Sequence, residues 1–112
     1  MSSNKEIAET ILAQLGGNKF TVMTGSKDYL AVENGLRMRL RKNASNANRL
    51  EITLNDTDTY HMKFMRVTNG RLNRKTLEWK DGTVQIVKEF DEVYCDMLRE
   101  IFESVTGLAT RL

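Results

Sequence analysis

Leu36-Arg37-Met38-Arg39-Leu40-Arg41, Leu50-Glu51-Ile52-Thr53-Leu54 and Tyr60-His61-Met62-Lys63-Phe64 decide how this chain folds. In each run apolar and polar residues trade places at every step. Side chains on a strand point to opposite faces in turn, so each run reads as a strand with one dry side and one wet side. The polar stretches between them, Lys42 to Asn48 and Asn55 to Thr59, read as a loop and a turn. Consecutive amphipathic strands joined this closely pair as an antiparallel meander.

Outward from this centre, Ser3 to Leu15 reads as a helix. Ile7, Ala8, Ile11, Leu12 and Leu15 form one apolar stripe, Ser3 and Glu6 have capping-box spacing, and Gly16-Gly17 is the stop. Phe20 to Thr24 reads as a short strand, and Tyr29 to Val32 as strand or loop before the Asn34-Gly35 turn signal. Further on, Asn69-Gly70 and Asp81-Gly82 both fit two-residue hairpin turns. The second would set Trp79 opposite Val84 and Leu77 opposite Ile86, joining a strand over Leu72 to Lys80 with one over Thr83 to Glu89. Asp91 to Thr106 reads as the second long helix, with Val93, Tyr94, Met97, Leu98, Ile101, Phe102 and Val105 on its stripe and Gly107 at its end. The expected fold class is α+β, in one domain over residues 1–112. An N-terminal helix, an antiparallel meander of about five to six strands and a C-terminal helix follow in order, both helices on one sheet face.

Composition sets several chemistries aside. The chain of 112 residues carries a formal charge of +2, mildly basic and well short of a DNA-coating protein. One cysteine, Cys95, excludes an internal disulfide, and no Cys/His cluster could hold zinc. The first residues are polar with no apolar region after them, and no apolar run approaches the roughly 20 residues of a membrane span. The expected setting is therefore cytoplasmic, with no membrane partner, and the sequons at Asn43 and Asn55 read as chance matches. Met23-Thr24-Gly25-Ser26-Lys27 lacks the spacing and order of a phosphate loop. His61 has no second imidazole, Cys95 has no cation beside it, and Asp56 and Asp58 lack a calcium loop around them. No catalytic residue, metal or cofactor is expected, and the chain does not read as an enzyme.

The wet face of the sheet is where binding is expected. With Leu54 opposite Tyr60 and Leu40 opposite Leu50, Arg39, Glu51 and Lys63 share one row, and Arg37, Thr53 and His61 the next. Between Leu36 and Lys80 eleven basic residues face four acidic ones, while the last helix is acidic. The row reads either as a cross-strand charge ladder, worth roughly 0.2–1 kcal/mol per pair, or as a cationic surface for a polyanion. Arg37, Arg39, Arg41, Lys63, Met65, Arg71 and Arg74 are the candidate binding residues, Met65 lying on the open side with Val67. Phe20, Tyr60, Phe64, Trp79, Tyr94 and Phe102 all fall on expected core positions, and only Tyr29 and Phe90 are left unassigned as rings for base stacking. A protein partner is thus the first expectation, and phosphate-backbone contact with nucleic acid the alternative. A free sheet edge near Phe20 or Thr83 would allow a homodimer through the sheet.

Three blocks carry a family likeness: Glu9-Thr10-Ile11-Leu12 through Leu15-Gly16-Gly17-Asn18-Lys19-Phe20 to Met23-Thr24-Gly25; Ile52-Thr53-Leu54 with Asp58-Thr59-Tyr60; and Tyr94, Asp96-Met97-Leu98, Ile101-Phe102 and Thr106-Gly107-Leu108. They resemble a family of small proteins encoded by bacteriophages, plasmids and integrated elements of bacteria. The resemblance implies a setting, a mobile-element protein working inside a bacterial host cell; in that setting the protein partner expected from the residues would be a host or element protein, with inhibition of host defence as one role. It implies no active-site residue.

Overall fold

The structure, a computed structural model, describes residues 3–110. In chain order the elements are α1 (Asn4–Leu15), α2 (Asn18–Thr24), β1 (Lys27–Val32), β2 (Gly35–Arg39), β3 (Arg49–Leu54), β4 (Tyr60–Thr68), β5 (Arg71–Asn73), β6 (Glu78–Lys80), β7 (Thr83–Val93), a 3₁₀ turn (Cys95–Met97) and α3 (Leu98–Thr106). Five strands make one antiparallel sheet in the order β1-β2-β3-β4-β7, and β5 and β6 make a separate two-stranded hairpin. The α+β class, the meander and the helix-covered face all stand as the alternating runs imply.

Packing follows the alternation. Leu36, Met38, Leu50, Ile52, Tyr60, Met62 and Phe64 are buried on one sheet face, under Ile11 and Leu15 of α1 and Leu98 and Phe102 of α3. Phe102 is the keystone, edge-on to Phe20 at 4.9 Å and tilted against Phe64 at 6.4 Å between ring centroids. The N-cap half of the expected capping box forms, with the Glu6 N–H donating to Ser3 Oγ at 3.2 Å.

Four local expectations are corrected. Phe20 to Thr24 is not a strand but belongs to α2, because Phe20 and Thr24 are buried one helical turn apart while Val22 faces solvent. The threonine hydroxyls stabilise that turn by donating back to carbonyls, Thr21 to Gly17 and Thr24 to Phe20. The last helix begins at Leu98 rather than Asp91, since Asp91 to Val93 continue β7. A bulge there turns Phe90 and Val93 to the same face, three residues apart, with Glu92 at φ 53°. Such a bulge imitates helical spacing.

The other two corrections concern the hairpins. Neither Asn69-Gly70 nor Asp81-Gly82 closes a two-residue turn, and neither glycine has a positive φ. β4 pairs instead with β7 (Val67 with Val84, Thr68 with Thr83), and β5 with β6 (Arg71 with Lys80, Leu72 with Trp79, Asn73 with Glu78). The two dipeptides are the neck of an arm that leaves the sheet where β4 and β7 end. A Cβ on Gly82 would collide with the Thr68 carbonyl oxygen and come within 3.1 Å of the Gly70 nitrogen, so the two neck strands approach as glycine alone permits. β4 outruns β3 by several residues, and Asn48 holds the overhang. Its side chain accepts from the Val67 N–H and donates to the Val67 carbonyl, both at 2.8 Å.

The edges of the main sheet are blunted. β1 bulges between Lys27 and Leu30, with Asp28 at φ 55°, and β7 bulges twice along its pairing with β4. Bulges and charged residues on outer strands are how sheets resist pairing edge to edge.

Candidate binding surfaces

The open sheet face is set by register. Met38, not Leu40, lies opposite Leu50, so the row across four strands reads Arg37, Glu51, Lys63, Glu89. This two-residue slip from the expected pairing keeps every side chain on its face, which is why the hydrophobic pattern could not detect it. Arg37 donates from Nε and Nη2 to Glu51 Oε2 at 3.0 and 2.7 Å, and Arg39 Nη1 reaches Asp28 Oδ2 at 3.3 Å. Lys63 lies in register between Glu51 and Glu89. His61 sits between two carboxylates, 3.4 Å from Glu89 and 3.2 Å from Asp91. Three donors converge on one oxygen of Asp91: the Glu92 N–H, Asn55 Nδ2 and His61 Nδ1. The Glu92 backbone bond first, then His61 and Asn55, hold its carboxyl below the usual aspartate value. Burial first, and then the neighbouring Arg39, lower the pKa of Arg49 from its ordinary value.

The seven candidate residues therefore part company. Arg37, Arg39 and Lys63 share the open face. Arg41 leaves the row and lays its aliphatic stem against Gly25 at the end of α2. Met65, expected as a contact point, is only 8% exposed, because its register neighbours Arg49 and Ile86 flank it on the same face. Arg71 and Arg74 stand on the arm, far out from the charge ladder and fully exposed.

The arm is a surface that the hydrophobic pattern alone did not reveal. Trp79 and Tyr94, both expected in the core, are 64% and 62% exposed. Trp79 loses its place there because its strand pairs with β5 and not with β7. Leu72 and Trp79 pair on one face of the hairpin, and Arg71 with Lys80 and Asn73 with Glu78 fall on the other. The indole does not hang free. Its Nε1 donates to Asp81 Oδ1 at 2.8 Å, and a Cβ on Gly70 would come within 2.4 Å of the ring, so the ring lies directly over that glycine. At the tip, Asn73 Oδ1 accepts from the Lys75 N–H and Thr76 N–H, and the Leu77 N–H donates to the Asn73 carbonyl at 2.7 Å. Leu77 closes the turn in the left-handed conformation at φ 60° and is 76% exposed. At the base of the arm Val84 and Ile86 are also more than half exposed, opposite Val67 and Met65.

Among the described residues no group of three or more His, Cys, Asp and Glu could hold a metal ion, and no helix is long and apolar enough to cross a membrane. Thr24 and Ser26, in the stretch that superficially resembles a phosphate loop, are buried and hydrogen-bond to each other at 2.8 Å. Comparison with protein-family models, curated proteins and solved structures finds no match for this chain.

Proposed function

We propose that this protein is a small non-enzymatic binding module that engages another protein through the apolar face of its arm. The supporting observation is Trp79, an indole fixed by Asp81 and Gly70 and nonetheless 64% exposed. A large aromatic already held in one orientation loses little freedom on binding, and tryptophan with arginine is the commonest composition of interface hot spots. Leu72, Leu77, Val84 and Ile86 extend the exposed apolar surface. Burying one such side chain fully stabilises by about 1.5–3 kcal/mol, a gain that a phosphate backbone does not offer. The open sheet face supports the same reading by contrast, since its cations have carboxylate neighbours within the chain. The likeness to small phage and plasmid proteins supports a mobile-element setting, with a host or element protein as target and inhibition of host defence as one role.

The test is capture from a bacterial lysate on immobilised full-length protein, read by mass spectrometry beside the Trp79→Ala variant. A target retained by the unaltered chain and at least about tenfold depleted by the variant is the expected result. Identical retention by both would overturn the arm as the contact element. A fluorescent single-stranded oligonucleotide serves as the counter-probe: binding that falls steeply between low and moderate salt would transfer the arm to nucleic acid.

A further inference from the structure

The arm has a chemical complement on this same chain. Its exposed apolar residues have Arg74 and Lys75 at the tip and Asp81 beside the indole, with Arg71, Lys80 and Glu78 on the reverse face of the same hairpin, so the arm is net positive. At the other end of β7 the junction with α3 exposes Tyr94 and Met97 among Glu92, Asp96 and Glu100, with Arg99 as a cation beside them. One surface is apolar and basic; the other is apolar and acidic. We propose that the arm of one copy docks on the Tyr94–Met97 junction of a second copy, giving a reciprocal dimer. This rests on the arm being a contact element, as argued above.

Geometry and charge narrow the choice. The eleven residues of β7 separate arm and junction by roughly 35 Å of strand within a molecule whose longest extent is 50 Å. An arm therefore cannot reach its own junction. A two-fold axis that runs two copies antiparallel brings each arm to the other's junction, so both contacts form at once and the assembly closes. Packing arm against arm would also cover the apolar faces, but it sets one net-positive hairpin against another. Pairing β7 with β7 meets a strand bulged twice and carrying Lys88, Glu89, Asp91 and Glu92. Only the arm-to-junction contact joins apolar to apolar with opposite charge around it. The arm face used for self-docking is the one proposed for a foreign target, so the two bindings exclude each other.

Sedimentation equilibrium of the full chain tests this, with circular dichroism confirming that each variant is folded. A dimer is expected at about 100 μM protein in low salt, weakened in about 0.5 M salt where charges are screened. Trp79→Ala should weaken it about thirtyfold. The double reversals Arg74→Glu/Lys75→Glu and Asp96→Lys/Glu100→Lys should each weaken it about tenfold alone, while the two variants mixed associate with each other, one contact keeping its original charges and the other carrying them reversed. An unaltered chain that stays monomeric at that concentration overturns self-docking and leaves the arm free for another protein. A dimer indifferent to Trp79→Ala overturns self-docking through the arm, while the arm's contact with another protein stands or falls on the capture experiment. Dimerisation that requires added oligonucleotide overturns self-docking in favour of nucleic acid.

Discussion

The open sheet face and the arm share a taste for arginine and lysine but use it differently. On the sheet, Arg37 is bonded to Glu51, Arg39 to Asp28, and Lys63 lies between Glu51 and Glu89. On the arm, Arg74 and Lys75 at the tip, and Arg71 and Lys80 on the reverse face, accompany exposed Leu72, Leu77 and Trp79. A count of charges cannot separate these situations; the register of the strands does. What distinguishes a contact surface here is the apolar area left among the cations, since paired surface ions contribute little either way.

The sharpest way to break the comparison is to shorten one aromatic on each side of it. Phe64→Ala, beneath the sheet and against Phe90 and Phe102, should cost about 3–5 kcal/mol in urea unfolding. Trp79→Ala on the arm should cost less than about 1 kcal/mol. Equal losses would make the arm part of the core. Next in size is Gly82→Ala, whose new methyl would meet the Thr68 carbonyl oxygen at 2.3 Å. A loss of about 1–3 kcal/mol is expected, with exchange protection falling at the neck before the sheet. Unchanged protection would show that the neck has room.

Leu77→Gly reverses the sign. A non-glycine residue at φ 60° is strained, so glycine should raise stability by about 0.5–1 kcal/mol while removing an exposed apolar contact. Destabilisation would mean that the leucine side chain supports the turn. The smallest effect concerns Asp91 on the sheet. Its folded-state pKa lies below the unfolded value, so its stabilising contribution is complete above the ordinary aspartate range and is lost as pH falls through the depressed folded value. Carboxyl carbon resonances should give Asp91 a titration midpoint below that of an unstructured peptide, and Asp91→Asn should flatten stability in that acidic window. A midpoint at or above the peptide's would remove the His61–Asn55–Glu92 cage.

Much of the fold was legible because burial on this sheet is strictly alternating from Leu36 to Phe64, and α1 and α3 present matching stripes. The faces of Arg37, Arg39 and Lys63 came with it. What escaped depended on pairing across distance. Val84 can satisfy the same local pattern opposite Trp79 or opposite Val67, and nothing within either segment chooses between them. The bulge at Asp91 and Glu92 misled for a related reason, since an extra residue in a strand looks like a turn of helix. With Trp79 assigned to the core by that pairing, the surface now most informative about binding was hidden.

The neck also has a mechanical meaning. Both strands of the arm run straight into β4 and β7, and β4 is tied along its length to β3 with Asn48 fastening the overhang. A ligand tugging outward on the hairpin therefore loads many backbone rungs together, in shear, instead of peeling them open singly. Tension applied at the tip would be spread over the whole sheet rather than concentrated at the neck.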